Sequence, residues 1–269
     1  MKLGFSTLGC PGWGIEEMLG AARANGYDGV ELRFYKGSLE LPKALADFPG
    51  GVTAFRRRFE SGGVEICCVD SSVVLSAPEG STSEGEEMIE LALKLGAPYV
   101  RVFGGEVQEG EDRTACLKRA ADKLARLGQR AARRGLRVLV ETHDAFSSGA
   151  EVAELLDTAG EEGIGALWDL HHPVSQGETP AETARLIGSR TYHVHVKDGK
   201  KDGGNVLLGE GDIPLRELVS ELHRTGYKGY LCLEWEKAWM PDLAEPEVAF
   251  PHAARYLTEL LGELKIPRG

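Results

Sequence analysis

Apolar residues along the chain fall into eight short runs, which are separated by longer stretches of mixed polarity. The short runs are rich in Val, Leu and Ile and show little alternation, as is typical of strands that are buried on both faces. They predict strands at residues 3–8, 29–33, 65–70, 99–103, 137–142, 165–170, 191–196 and 230–235. A parallel sheet that is covered on both faces is therefore expected.

The longer stretches repeat apolar residues at helical spacing. In the first of them, Ile15, Met18, Leu19 and Ala22 fall on one side of a helix. The predicted helices cover residues 15–24, 52–61, 83–95, 113–134, 150–158, 180–187, 214–225 and 246–264. A glycine follows most of them, such as Gly163 after the fifth, because glycine accepts the left-handed conformation that ends a helix.

Eight strand–helix units of this kind fit a single (β/α)8 TIM barrel that covers residues 1–269. An open doubly wound sheet is the alternative. The loops after the strands are long in at least four places, at residues 34–51, 71–82, 197–212 and 236–245. Long loops on one edge of parallel strands mark the working face of such a fold. The loops at 34–51 and 197–212 either close this face or form the contacts of a homo-oligomer.

Charge and cysteine content narrow the classes of function. Asp and Glu number 42 against 31 Lys and Arg, and the resulting net charge of −11 argues against a nucleic-acid-binding groove. No apolar run approaches the ~18 residues of a membrane span. Cys67 and Cys68 are adjacent and are expected on opposite faces of a strand. The five cysteines therefore do not suggest a disulfide framework, and a reducing cytoplasm is the predicted location.

The fifth to eighth strands each end in a carboxylate or an imidazole, namely Glu141, Asp169, His195 and Glu234. For any one of them a buried ion pair is the simpler explanation. For four at matching positions, a shared cation better offsets the cost of burying charge. Three carboxylates and one imidazole favour Mn²⁺, Mg²⁺ or Co²⁺, with Zn²⁺ as a further candidate. His193 is an alternative ligand that lies deeper in its strand.

Further side chains near these strand ends are candidates for contact with a substrate. Lys197 lies two residues after His195 and faces the same way, so it either stabilises a negative oxygen or pairs with a carboxylate. Glu31 and Arg33 at the end of the second strand are expected to pair with each other, and contact with the substrate is the alternative. The candidate substrate contacts are His143, His172, Lys197, Glu236, Trp168 and Arg101.

Taken in order, these motifs resemble those of the xylose isomerase-like barrels, a family often labelled sugar phosphate isomerase/epimerase. The matching motifs are residues 26–33, Arg-Val-Phe-Gly-Gly from Arg101, Glu-x-His from Glu141, Trp-Asp-x-x-His from Trp168, His-Val-Lys-Asp from His195 and Glu-Trp-Glu from Glu234. The resemblance covers essentially the whole chain. It implies a (β/α)8 barrel in which Glu141, Asp169, His195 and Glu234 hold one divalent metal ion and His172 contacts the substrate.

The sequence departs from two branches of this family. Ketose 3-epimerases resemble each other in a Glu six residues after the first metal-binding Glu and an Arg six residues after the metal-binding His, and Ser147 and Lys201 stand at these places. Apurinic endonucleases need further His and Asp ligands on earlier strands. The second, third and fourth strands end here without a His, so a nuclease is disfavoured.

The ligand set and the resemblance together predict a metal-dependent isomerase or epimerase of a sugar or related polyol. Glu141 and Glu234 would relay a proton through an enediolate intermediate. If a β-hydroxyl leaves that enediolate, the enzyme is instead a lyase, such as a dehydratase of a keto-cyclitol or a 3-keto sugar. A non-catalytic sugar-binding barrel is the third alternative. In each case the expected partner is a small carbohydrate or polyol, not a nucleic acid or a membrane.

Overall fold

The chain folds around eight parallel strands that close into a barrel. The computed structural model describes residues 1–77, 81–200 and 203–269. The barrel strands are β1 (Lys2–Ser6), β2 (Gly29–Leu32), β3 (Glu65–Val74), β4 (Tyr99–Phe103), β5 (Arg137–Glu141), β6 (Ile164–Asp169), β7 (Thr191–Val196) and β10 (Tyr230–Leu233). A separate antiparallel pair consists of β8 (Asp198–Gly199) and β9 (Asn205–Val206). Around the barrel the order is β1, β10, β7, β6, β5, β4, β3 and β2, and β2 pairs with β1.

Helices follow the strands and cover the outside of the barrel. They are α1 (Ile15–Asn25), α2 (Leu41–Ala46), α3 (Gly51–Gly62), α4 (Ser81–Leu95), α5 (Arg113–Ala132), α6 (Gly149–Ala159), α7 (His172–Ser175), α8 (Pro180–Ile187), α9 (Leu215–Arg224) and α10 (Pro246–Glu263). Within the described part of the chain, no helix is both long enough and apolar enough to span a membrane.

The predicted (β/α)8 barrel is confirmed, and each predicted strand and helix is present. The largest difference in bounds is at β3, which continues to Val74. Helix α2 lies in the predicted loop 34–51, and β8 and β9 lie in the predicted loop 197–212. These elements are too short to produce a visible periodicity. Residues 78–80 of the predicted loop 71–82, and residues 201 and 202, lie outside the described residues.

Helix α6 ends at a different glycine from the predicted one. Gly160 takes the left-handed conformation, with φ of 64°, and its N–H donates to the carbonyl of Leu156. Gly163 is needed for close packing instead, because a Cβ atom there would lie 2.0 Å from the carbonyl oxygen of Gly128 in α5. The prediction that Gly163 ends the helix is therefore wrong.

A β-bulge in β3 places two adjacent cysteines on the same side of the strand. Val30 of β2 pairs with Ile66, and the next residue, Glu31, pairs with Cys68, so Cys67 is the extra residue. Cys67 lies beside interior residues of β7 and β10, and Cys68 donates to Asp70 inside the barrel at 3.6 Å. The expectation that the two thiols point to opposite faces is wrong, because the bulge interrupts the alternation.

The floor of the barrel, at the amino-terminal ends of the strands, is closed by Tyr230. Its hydroxyl donates to Glu65 at 2.7 Å, and Lys2 donates to the other oxygen of Glu65 at 2.5 Å. We call these three residues the floor network. Gly29 makes room for the tyrosine ring, since a Cβ atom there would lie 2.6 Å from Cε1 of Tyr230. A larger residue at this position would displace the ring.

Candidate metal centre

The four residues predicted as metal ligands meet at the carboxyl-terminal end of the barrel. Glu141 ends β5, Asp169 ends β6, His195 lies in β7 and Glu234 follows β10. One donor atom from each lies within 4.8 Å of the others. All four residues are buried, and we call them the four-donor cluster. They meet because parallel strands of a barrel bring their carboxyl ends to one face.

Two basic side chains, those of His195 and Lys197, lie among the carboxylates. Nδ1 of His195 lies 3.0 Å from Oε1 of Glu141 and 3.2 Å from Oε1 of Glu234. Nζ of Lys197 lies 2.9 Å from Oδ2 of Asp169 and donates to Oε2 of Glu234 at 2.8 Å. Lys197 also donates to Glu236, again at 2.8 Å. Lys197 therefore pairs with carboxylates, one of its two predicted roles.

The donor atoms fit a divalent cation. Oε2 of Glu141 and Oδ2 of Asp169 are buried, and their nearest positive groups are Nε of Arg101 at 3.4 Å and Nζ of Lys197 at 2.9 Å. Among the residues that the structure describes, neither oxygen accepts a hydrogen bond of regular geometry. A cation that these oxygens ligate would lower the cost of burying their charge. Three carboxylates and one imidazole nitrogen form a predominantly hard donor set, which suits Mn²⁺, Mg²⁺ or Co²⁺.

The surrounding charges shift the pKa values within the cluster. Burial alone would lower the pKa of His195, but the carboxylates of Glu234, Glu31 and Glu141 raise it well above its usual value. Burial alone would also lower the pKa of Lys197, but the carboxylates around Nζ raise it well above its usual value. In the metal-free protein both shifts favour the protonated form, whose charge partly offsets the carboxylates. A bound divalent cation would take over this compensation.

Glu31 fixes the orientation of the histidine in the cluster. Nε2 of His195 lies 3.0 Å from both oxygens of Glu31, and Nε2 of His193 lies 2.8 Å from Oε2 of the same carboxylate. Because Nε2 of His195 faces Glu31, Nδ1 is left to face the carboxylates of the cluster. This is the arrangement in which a second carboxylate orients a metal-binding imidazole.

The predicted pairing of Glu31 with Arg33 is therefore wrong. Glu31 points into the barrel towards β7, while Arg33 donates to Oγ of Ser72 at 3.0 Å. Sequence analysis did not find the role of Glu31, because its partners lie more than 160 residues away in the chain. The available signal was the spacing of His193 and His195, which places both rings on the same face of β7.

Arg101 supports the cluster from the neighbouring strand β4. Its Nη2 donates to Asp70 at 2.9 Å, and its Nε lies 3.4 Å from Oε2 of Glu141. The guanidinium carbon also lies 3.9 Å from the centre of the Phe103 ring. Burial raises the pKa of Asp70 to about 7, although Arg101 opposes this effect. Because Arg101 is fully buried and held by these contacts, it orients Glu141 in this structure.

His143 and His172 lie at the open rim of the site. Their rings are 4.7 Å apart, and Nε2 of His172 lies 3.9 Å from Oδ2 of Asp169. Their side chains are 34% and 24% exposed, so both remain accessible beside the buried cluster. Nδ1 of His143 lies 2.7 Å from Oδ1 of Asp144, which orients its ring. These positions suit the predicted contacts with substrate.

The structure does not bring Trp168 to this site. Trp168 is next to Asp169 in β6 and therefore faces the opposite side of the strand. It is fully buried and belongs to the hydrophobic core. The prediction that Trp168 contacts substrate is corrected for this reason. Glu236, in contrast, lies at the site through its contact with Lys197.

Known proteins resemble this chain in both sequence and fold. A family model described as a xylose isomerase-like TIM barrel matches residues 19–260. Inosose dehydratase 2 of Bacillus cereus is 28% identical, and the match covers 54% of this chain and 55% of that protein. The chain thus spans about half the length of that relative. Fructoselysine 3-epimerase of Escherichia coli O157:H7 is 24% identical, and this match covers 90% of this chain and 93% of that protein.

The barrel also superposes on solved structures. A crystal structure of the IolI protein with a binding zinc atom matches with a TM-score of 0.82 and 19% sequence identity. The match covers 98% of this chain and 99% of that chain. At this level of identity the likeness concerns the fold.

Proposed function

Because the chain belongs to the family of xylose isomerase-like TIM barrels, as its motifs predicted, we propose that it enolises a sugar or related polyol with the help of a divalent metal ion. The names of the dehydratase and epimerase relatives support an enzyme of the sugar isomerase, epimerase or lyase type. The convergence of the four-donor cluster carries the proposal. Isomerisation or epimerisation is the proposed outcome of the reaction.

Glu141, Asp169, His195 and Glu234 would hold one divalent metal ion. When bound there, the ion supplies a Lewis acid that stabilises negative charge on substrate oxygens. The three carboxylates favour Mn²⁺, Mg²⁺ or Co²⁺. The zinc atom in the IolI protein supports including Zn²⁺ among the ions tested.

Glu141 and Glu234 are the proposed proton carriers. They reach the cluster from β5 and from the end of β10, and Nδ1 of His195 lies about midway, at 3.0 and 3.2 Å from them. Two carboxylates on either side of one point allow one to accept a proton and the other to return it. Return to the other face of the carbon gives an epimer, and return to the neighbouring carbon gives an isomer.

Lys197 is proposed to stabilise the negative charge that develops on a substrate oxygen. Its ammonium group is buried among the carboxylates of Asp169, Glu234 and Glu236. A fixed positive charge in such a dry site stabilises an oxyanion more strongly than it would in water. The imidazoles of His143 and His172 at the rim are proposed to bind substrate hydroxyl groups.

Dehydration is the second candidate function, and it would act on a keto-cyclitol or a 3-keto sugar. The contact of Lys197 with Glu236 beside Glu234 favours it, because these residues provide a further proton donor for a leaving hydroxyl. The name of the Bacillus cereus relative points the same way. In addition, Ser147 replaces the ketose 3-epimerase glutamate, and its hydroxyl donates to the carbonyl of Asp144. The second departure, Lys201, lies outside the described residues.

The proposed substrate is a small molecule, and the proposed location is a reducing cytoplasm. All five cysteines are free and buried, which agrees with this compartment. We propose no nucleic-acid or membrane partner, and a homo-oligomer stays a prediction.

Solvent-deuterium exchange tests the proposed function. The protein is loaded with Mn²⁺, Mg²⁺, Co²⁺ or Zn²⁺ in parallel and incubated in D₂O with a panel of ketoses, inososes and 3-keto sugars. After metal removal, proton NMR is expected to show loss of one α-proton signal. An isomer or epimer identifies the first candidate function, and a conjugated enone identifies dehydration.

Two variants give this experiment its controls. Glu234→Gln is expected to slow the exchange by about 10²–10⁴-fold, because it removes a proton carrier. Glu65→Gln changes a carboxylate of the floor network and is expected to retain full exchange. If the metal-loaded protein exchanges no proton with any compound, the proposal is wrong. Binding of a sugar without exchange would then support the sugar-binding alternative.

A further inference from the structure

Below the four-donor cluster, three potential metal ligands meet inside the barrel. One donor atom from each of Cys67, His193 and Cys232 lies within 4.8 Å of the others. The three residues come from β3, β7 and β10, and none is more than 1% exposed. We call them the thiol cluster. Nothing in the enolisation chemistry described above requires two thiols at this depth.

The backbone brings these residues together in a specific way. The bulge in β3 allows both Cys67 and Cys68 to face the barrel interior, whereas regular alternation would allow only one of them to do so. Cys232 pairs in register with His195 on the adjacent strand, so it faces the interior as well. The interior thus contains a layer of soft sulfur donors beneath a layer of oxygen donors.

The His193 ring has one nitrogen engaged and one free. Nε2 lies 2.8 Å from Oε2 of Glu31. Nδ1 is buried and makes no hydrogen bond to any residue that the structure describes. A buried imidazole with one nitrogen held by a carboxylate and the other unsatisfied is typical of a metal-binding histidine.

We propose that the thiol cluster is a second metal site, which binds Zn²⁺ through the sulfurs of Cys67 and Cys232 and through Nδ1 of His193. Binding breaks the two S–H bonds and releases two protons, so two thiolates neutralise the charge of the ion. A neutral site of this kind is compatible with a buried position. Zinc sites with three protein donors take a small ligand such as water in the fourth position.

The two centres differ in the cations that they select. Thiolates favour soft ions such as Zn²⁺, whereas the carboxylates of the four-donor cluster favour harder ions. Glu31 connects the centres, because it contacts Nε2 of both His193 and His195. The second site would link three strands across the barrel and hold Glu31 in place. This inference stands independently of the proposed reaction.

Zinc stoichiometry and X-ray absorption test the second site. The purified protein is reduced, stripped of metal, loaded with ZnCl₂ and desalted. Wild-type protein is expected to hold two zinc ions per chain and to show zinc–sulfur distances of about 2.3 Å. Cys67→Ala and Cys232→Ala are each expected to hold one zinc ion without the sulfur signal. Cys116→Ala, which removes a buried thiol in α5, is the matched control and is expected to retain both ions.

A variant of the four-donor cluster distinguishes zinc binding there from zinc binding at the thiol cluster. Glu234→Gln weakens the four-donor cluster and is expected to leave the zinc–sulfur signal intact. Circular dichroism verifies that each variant folds. If the cysteine variants do not fold, the X-ray absorption spectrum of the zinc-loaded wild-type protein alone decides whether sulfur binds the ion. The proposal is overturned by the absence of zinc–sulfur scattering in wild-type protein, or by a sulfur signal that persists in both cysteine variants. A Cys67–Cys232 disulfide with no zinc binding after its reduction also overturns it.

Discussion

The floor and the upper end of the barrel interior both contain charged side chains, but they compensate these charges differently. In the floor network, Lys2 and Tyr230 each donate to one oxygen of Glu65, whose side chain is 60% exposed to water. At the upper end, the carboxylates are buried and outnumber the positively charged side chains around them. The buried upper carboxylates are Glu31, Asp70, Glu141, Asp169 and Glu234.

The two ends of the barrel therefore serve different purposes: the floor serves stability, and the upper end serves chemistry. The floor network at the amino-terminal face connects its strands without a bound ion. A buried excess of carboxylates is unfavourable until a cation joins it, so the upper end gives up stability to create a binding site. The same division between the two faces is general in TIM-barrel enzymes.

Removal of Lys197 is expected to have the largest effect on stability. Lys197→Met leaves Asp169, Glu234 and Glu236 without their shared ammonium group, and we expect the metal-free protein to lose about 3–5 kcal/mol of unfolding free energy. Mn²⁺ is expected to restore part of this loss. Urea denaturation with EDTA and with Mn²⁺ measures both values.

The matched control for this prediction is Lys43→Met, whose side chain is 77% exposed. It is expected to change stability by less than about 0.5 kcal/mol. Equal stability of Lys197→Met and wild-type protein without metal would show that the upper carboxylates do not depend on this lysine.

Substitution of Glu31 is expected to have the next largest effect. Glu31→Gln removes the negative charge that holds Nε2 of His195, so Nδ1 is no longer fixed towards the cluster. The affinity for Mn²⁺ is expected to fall by about 10–100-fold, as measured by isothermal titration calorimetry. Glu65→Gln at the floor is expected to bind Mn²⁺ with unchanged affinity. A Glu31→Gln protein with wild-type affinity would contradict the proposed orienting role.

At the floor, the loss of one hydrogen bond is expected to have a smaller effect. Tyr230→Phe keeps the ring against Gly29 and removes only the hydroxyl contact with Glu65. We expect a loss of about 0.5–1 kcal/mol in urea denaturation, with no change in Mn²⁺ affinity. A change in Mn²⁺ affinity would mean that the two ends of the barrel are coupled.

The smallest expected effect is the pH dependence of the floor network. Burial acts to raise the pKa of Glu65, but hydrogen bonds from Lys2 and Tyr230 lower it below its usual value near 4.5. Its ionised form therefore contributes to stability above that pH, and the contribution disappears as the pH falls through the lowered pKa. The stability difference between wild-type protein and Glu65→Gln is expected to shrink over this acidic range. Urea denaturation from pH 7 to pH 3 measures it, and a constant difference would contradict the shift.

The sequence allowed prediction of the residues whose positions follow from regular strands. Glu141, Asp169, His195 and Glu234 come together because equivalent ends of parallel strands share one face. The same alternation places Trp168 and Asp169 on opposite faces of β6, so the sequence alone could have shown that Trp168 does not reach the site. The role of Glu31 could not be predicted from the sequence, because it depends on which strand lies opposite in the closed barrel.

The bulge at Cys67 changes which residues of β3 face the barrel interior. Below it, odd-numbered residues such as Glu65 and Cys67 face inwards; above it, even-numbered residues such as Cys68 and Asp70 do so. The extra residue therefore acts as a phase shift between the two halves of one strand. Deletion of Cys67 would restore a regular alternation in which Glu65, Cys68 and Asp70 all face inwards, so the interior would lose only the thiol of Cys67. The inserted residue thus adds one inward-facing thiol to β3 between the floor and the upper end of the barrel, and the residues on either side of it keep their faces.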